Sequence, residues 1–187
     1  MTSRKNNMLA FNVAQLLKEG IGATRRYELA GELYDIDEHN PGPVSVQGHI
    51  QLIVTPEGVL AIGEAELSLI TVCPRCLTLT ESRVTVEIEE EFYPVIDVVS
   101  GRPLPDDHDD EPELLIDERH TLDLSEVLKQ YAVAHTLKPA VCRPDCAGLC
   151  PVCGENRNFV SCSCETRELD PRLAALAQLL EEPDTEE

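Results

Sequence analysis

The sequence has no tryptophan, only three phenylalanines, four tyrosines and two methionines among its 187 residues. So few aromatic side chains exclude the stacked-base platforms of single-strand nucleic-acid binders, and any core must be built from Val, Leu, Ile and Ala. Positive charge is equally scarce: 15 Lys and Arg face 35 Asp and Glu, a formal net charge of −20. Such a field opposes long-range attraction to phosphates, so contact with nucleic acid has to be local. No apolar run reaches the length of a membrane-spanning helix, and the opening MTSRKNNMLAFNVAQLLKEG lacks both the apolar stretch and the small-residue cleavage site of a signal peptide. The expectation is a cytoplasmic protein with no membrane partner. Also missing are a Gly-rich phosphate loop, a nucleophile elbow and an HExxH pair, and the five histidines are scattered. No catalytic residue is assigned, and no small-molecule substrate is expected.

What is present begins with strand periodicity. Val44, Val46, Ile50, Leu52 and Val54 share one parity and Ser45, Gln47, His49 and Gln51 the other, which is the pattern of a strand buried on one face. The turn TPEG leads into a second run, Val59 to Thr71, with Ala61, Ala65, Leu67 and Leu69 inward. A third run sets Val84, Val86, Ile88 and Phe92 against Thr85, Glu87, Glu89 and Glu91. Residues 44 to 93 therefore read as an antiparallel meander, preceded by a strand from Tyr27 to Tyr34. Gly48 and Gly63 within these runs suggest bulges that curl the sheet towards a half-barrel.

The flanks read as helix and linker. Asn12 is placed to cap a short helix through Val13, Leu16 and Leu17 that Gly20 and Gly22 would stop. Residues 97–113 combine Pro, Gly and six acids between Asp106 and Glu113 and read as a linker. A helix over 123–137 carries Leu124, Val127, Leu128, Tyr131 and His135 on one face, with Asp123 and Glu126 as a capping box, Pro139 ending it and His135 read as a packed core histidine. A last helix starts at Asp170 and Pro171. The organisation is an N-terminal segment (1–26), a sheet with a CxxC hairpin (27–96), the acidic linker (97–113), a helix with a Cys-rich module and final helix (114–180), and an acidic tail (181–187). The fold class is α+β: a meander or half-barrel of about four strands capped by helices, with a Cys-rich, zinc-binding C-terminal region.

The chemistry lies in eight cysteines, spaced Cys73-x2-Cys76, Cys142-x3-Cys146, Cys150-x2-Cys153 and Cys162-x-Cys164. Zinc takes four ligands in a tetrahedron, so four close pairs of thiols make one or two sites. Closing a short loop costs little entropy, which favours Cys150, Cys153, Cys162 and Cys164 as a local site. Cys73, Cys76, Cys142 and Cys146 would then make a long-range one that pins the C-terminal part to the sheet hairpin. A single ribbon-like site from the two CxxC knuckles is the alternative pairing. An iron–sulfur cluster and CxxC redox chemistry remain as other uses of the same thiols. Arg75, Arg143 and Arg157 could donate to thiolates, or to RNA or a partner.

The strings VCPRCLTLTESRVTVEIEEEFYP, LDLSEVLKQYAVAHTLKP and CRPDCAGLCPVCGENRNFVSCSC, in that order, resemble the YceD family of large ribosomal RNA subunit accumulation proteins, over roughly residues 25 to 180. Cys73, Arg75 and Cys76 match its CxRC element. Cys146, Gly148, Leu149, Cys150, Cys153 and Gly154 match CxGLCxxCG, and Cys162 and Cys164 match the closing CxC. Relatives often read Leu-Asn after that glycine, where this chain has Glu-Asn-Arg-Asn. The resemblance implies a role in making, processing or stabilising large-subunit ribosomal RNA, with the large-subunit precursor, a basic ribosomal protein or ribosomal RNA as partner. Residues and resemblance together suggest a non-enzymatic zinc factor; a zinc-dependent RNA-processing enzyme and a cytosolic zinc or redox thiol protein are the alternatives.

Overall fold

A computed structural model describes residues 8–105, 111–137 and 140–164. The chain divides into two compact units: residues 1–73 with 78–142, and Pro74–Leu77 with the residues from Arg143 onwards. Cys73 and Cys142 are thus the points at which the chain leaves the first unit.

The first unit is a curled sheet. Strands β2 (Thr24–Leu33), β3 (Val44–Val54), β4 (Val59–Val72) and β5 (Leu79–Pro94) form an antiparallel meander in chain order. The alternation read from the sequence is realised: Val44, Val46, Ile50, Leu52, Val54, Ala61, Ala65, Leu67, Leu69, Val86, Ile88 and Phe92 are all buried. Removing a Val, Leu or Ile side chain from water contributes about 1.5–3 kcal/mol each, which fixes the register, because a one-residue slip would turn this set outward. β2 begins three residues earlier than its pattern suggested, at Thr24, with Arg25 paired to Glu19.

Two features differ from the sequence reading. The ladders run without an inserted residue from Thr24↔Ile53 to Leu33↔Val44, from Val46↔Leu67 to Val54↔Val59 and from Val59↔Phe92 to Val72↔Leu79, so Gly48 and Gly63 are not bulges. They mark close approach instead: a Cβ on Gly48 would lie 2.1 Å from the Glu64 carbonyl oxygen, and one on Gly63 2.2 Å from that of His49. Secondly, β6 (Leu115–Ile116) joins β5 in parallel, making a mixed five-stranded sheet instead of a purely antiparallel one.

A two-stranded ribbon pairs β1 (Ala10–Asn12) with β7 (Thr121–Asp123). Helix α1 (Ala14–Glu19) follows β1, and the Asn12 side chain accepts the Ala14 N–H at 3.2 Å, one residue before the true cap. Gly20, at φ 90°, ends the helix. Helix α2 (Ser125–Thr136) follows β7; Asp123 accepts the Ser125 N–H at 2.9 Å in place of a full capping box. Val127, Leu128 and Ala132 are buried, the helix packs against β4 and β5, and Tyr131 O–H donates to Glu90 at 2.8 Å. His135 is only half-buried in the last turn. Of the expected linker, residues 97–105 are an ordered turn in which Asp97 accepts the Ser100 N–H, and Pro112–Leu114 is one 3-10 turn. Pro139, the helix from Asp170 and the acidic tail lie outside the described residues.

Candidate metal centres

Two knuckles of the same shape present the CxxC thiols. In the first, Cys73 follows β4 and its N–H donates to the Thr78 carbonyl at 3.0 Å; in the second, Cys150 N–H donates to the Glu155 carbonyl at 2.8 Å. Both backbones fold back through a left-handed residue after the second cysteine, Gly154 at φ 77° and Leu77 at φ 58°. Glycine takes that conformation without penalty, whereas a leucine there is strained by Cβ contacts.

The cysteine-rich unit is wired by backbone groups and two asparagines. Leu149 N–H donates to the Arg75 carbonyl at 2.9 Å, and Gly148, at φ 70°, lies so close that a Cβ would be 3.0 Å from that oxygen. Asn158 is central. Its Oδ1 accepts the Ala147 N–H at 2.8 Å, and its Nδ2 donates to the Cys146 sulfur at 3.3 Å and to Asn156 Oδ1 at 2.8 Å. Asn156 in turn donates to the Cys76 carbonyl at 3.4 Å. These two residues lie in the Glu-Asn-Arg-Asn stretch, and sequence reasoning passed over their role. The available signal was the paired amides between cysteines, where an N–H can support a thiolate.

The eight cysteines, none in a disulfide, come together as two groups of four: Cys73, Cys76, Cys142 and Cys146, and Cys150, Cys153, Cys162 and Cys164. Within each group all sulfurs lie within 4.8 Å of one another. A zinc–sulfur bond of about 2.3 Å in a tetrahedron sets sulfurs about 3.8 Å apart, so a small contraction around one ion suffices and the donor sets fit. This is the local and long-range grouping, not the single ribbon-like site. The groups differ in exposure: Cys73, Cys76 and Cys146 are buried with Cys142 half-buried, whereas only Cys150 of the other group is buried and Cys153 is exposed.

Proton affinities in the second group show what a cation would do there. Backbone N–H groups of Cys153 and Val152 aimed at Cys150 pull its thiol down to about 6. The Cys153 sulfur, with burial and Cys150, pushes Cys164 up to about 12. Cys153 is also raised: the Glu155 N–H pulls it down, but the neighbouring Cys150 sulfur and burial outweigh that. The Cys150 and Cys153 sulfurs therefore act against ionisation of their neighbours Cys153 and Cys164, since like charges at this range resist ionising together. A divalent cation held by these four sulfurs would reverse that balance and release protons on binding.

The arginines are largely engaged. Arg75 donates to the Cys146 and Pro144 carbonyls at 3.3 and 3.5 Å, and Arg143 to Asn158 Oδ1 at 2.6 Å with Asp145 at 3.5 Å; Arg157 is exposed.

No solved structure gives a significant match to the chain. An uncharacterized protein of Mycobacterium tuberculosis (Rv2926c) is 35% identical over 129 residues, which are 66% of this chain and 56% of that protein. An uncharacterized protein of Mycobacterium bovis (Mb2951c) matches to the same extent, so this chain aligns with little more than half the length of these relatives. Residues 62–180, which hold both knuckles, all eight cysteines and the two asparagines, match the sequence profile described as large ribosomal RNA subunit accumulation protein YceD. That span is well over half of the chain, and it makes this protein a member of the YceD family.

Proposed function

We propose that this protein is a non-enzymatic, zinc-binding factor for large-subunit ribosomal RNA accumulation that works in the cytoplasm by binding a basic ribosomal protein or the large-subunit precursor. Membership of the YceD family supports the ribosome-biogenesis role. The observation that carries the finer reading is the pair of all-thiol groups within the matched span. Four thiolates saturate a zinc ion, leaving no open position for substrate or water, which is the condition of a structural and not a catalytic site. The eight cysteines are the ligands in this reading. Arg157, with Arg75 and Arg143 secondary to it, supplies local contact to RNA or partner.

Charge favours protein over RNA as the main attraction. On the outward face of the sheet, Glu28, His49, Glu64 and Glu87 stand in one row across β2 to β5, and Glu64 lies directly opposite Glu87. Like charges set across a strand pair are destabilising, and a cationic partner relieves them.

The decisive experiment is depletion of the protein in cells, followed by the ratio of large- to small-subunit ribosomal RNA and the sedimentation profile of subunits. The expected result is a selective loss of large-subunit RNA, rescued by wild type but not by Cys150→Ser. An unchanged ratio would overturn the biogenesis reading. Tight, steeply salt-dependent binding of the zinc-loaded protein to bare ribosomal RNA would overturn the preference for a protein partner.

A further inference from the structure

The first unit contains a cleft that plays no part in the cysteine chemistry. Its volume is about 590 Å³, and it lies where the end of α1, the β3–β4 turn and the end of β5 meet. Leu17, Ile21, Tyr93 and Leu104 supply apolar wall, while Glu57 and Asp97 also line it and, among the described residues, no lysine or arginine does. The volume is in the range of ligand-binding clefts. Ile21 is 74% exposed and Leu104 38%, so branched aliphatic side chains stand in water there.

The surroundings are negative. Asp97 accepts the Ser100 N–H and O–H, both at 2.6 Å, which holds its carboxyl below the usual range and keeps it ionised. The Tyr93 phenol is raised, first by burial and then by the carboxylates of Glu91, Glu57, Glu111 and Glu90. This field selects among occupants. The stretch of this chain after Cys164 carries eight acidic and two basic residues, and a second copy brings a net charge of −20. Both have the wrong sign.

We propose that this cleft docks a basic peptide: a Lys- and Arg-rich segment with a branched aliphatic anchor that inserts beside Ile21 and Tyr93 while its cations face Glu57 and Asp97. The proposal rests on the reading of a basic ribosomal protein as partner and names the surface that holds it. Apolar insertion fixes the position of the segment, and the carboxylates steer its approach and confer salt dependence.

The test uses the full-length protein and fluorescence anisotropy with a labelled peptide of alternating Lys and Arg around one central Ile. Two control peptides replace every cation by Glu, or the Ile by Ser. The Lys/Arg/Ile peptide is expected to bind, and both controls to bind at least about tenfold more weakly, equivalent to 1.4 kcal/mol. Glu57→Lys and Ile21→Ser should each weaken it by a similar factor, whereas Glu38→Lys, at an exposed acid of the β2–β3 loop that lies in neither the cleft nor the acidic row, should change it less than about twofold. Ile21 and Glu57 are exposed, so both variants should keep the wild-type thermal transition; Ile21→Ala serves if Ile21→Ser does not fold. Equal weakening by Glu38→Lys, equal binding of the Ser control, or no binding at all overturns the proposal. In depleted cells, rescue by Glu57→Lys and Ile21→Ser as complete as by wild type would remove the cleft while leaving the biogenesis role intact. No effect of depletion itself would count against that role alone.

Discussion

The side chain of Asn40 makes both backbone hydrogen bonds of Ile70: its Oδ1 accepts the Ile70 N–H at 2.7 Å and its Nδ2 donates to the Ile70 carbonyl at 2.9 Å. Ile70 lies on β4 beyond the last β3 pairing, Val46↔Leu67, so one buried amide stands in for a strand that has stopped. Asp37 fixes the amide by accepting its Nδ2–H at 2.8 Å and the N–H groups of His39 and Asn40.

Asn40→Ala strips Ile70 of both partners and should destabilise the protein by about 1–3 kcal/mol, measured as a lowered denaturant midpoint at constant slope. It should also blunt acid sensitivity. Burial raises the Asp37 carboxyl, but the hydrogen bonds from Asn40 and His39 outweigh it and hold it below the ordinary value. Its contribution is present above the unfolded carboxylate range, near pH 4, and is lost as pH falls through the lower folded value. In Asn40→Ala that acid-side loss should shrink.

Gly63→Ala should cost about 1–3 kcal/mol, because the new methyl must displace the β3 backbone at His49 and not a flexible side chain. A thermal melt unchanged from wild type would show that the two strands can separate freely at this crossing.

The Tyr131 phenol is pushed up to about 12, by burial first and then by its hydrogen bond to Glu90. The native state therefore keeps a proton that the unfolded chain releases near pH 10. This contribution is complete below pH 10 and fades as pH rises through about 12. Ultraviolet titration should find Tyr131 ionising late, with Tyr93 also above the ordinary value, and Glu90→Gln should bring Tyr131 down; simultaneous ionisation of all four tyrosines would contradict the geometry.

Metal content should separate the two thiol groups. Under the proposed assignment, wild type carries two zinc ions per chain, and Cys76→Ser or Cys153→Ser each leaves one. Asn158→Ala, which removes the amide from the Cys146 sulfur, should keep both ions but release one faster to a chelator. Elemental analysis and chelator kinetics read these outcomes directly, and an unchanged zinc content in Cys76→Ser would exclude that cysteine as a ligand.

How much of this was legible in the sequence follows from the length of each signal. β3, β4 and β5 are long enough for strict alternation to show, and their inward residues were named with one exception: Val84, expected inward with Val86, Ile88 and Phe92, is only half-buried. β1, β6 and β7 are two or three residues each and carry no period, so the ribbon and the parallel pairing came only with the tertiary structure. Gly48 and Gly63 were noticed but misread, since a glycine within a strand signals a bulge and a close approach equally well. Loop-closure entropy favoured the observed cysteine grouping but left the single ribbon-like site open. Asn156 and Asn158 look like ordinary loop polars, and their partnership with Cys76 and Cys146 is long-range or set by a turn that no spacing rule reports.

The unequal reach of the two thiol groups gives the protein an order of maturation. The group from Cys150 to Cys164 is local, whereas the other draws on residues from Cys73 to Cys146. Bringing the ends of the longer span together costs about 1.4 kcal/mol more in chain entropy than closing the shorter one. With zinc as the ion, the local group could fill on a chain that has not yet folded, while the other would gain its ligands only once β5, β6, β7 and α2, which lie between Cys76 and Cys142, are in place. A chain holding one zinc ion would then still have to bring Cys73 and Cys76 to Cys142 and Cys146, and uptake of a second would report that closure.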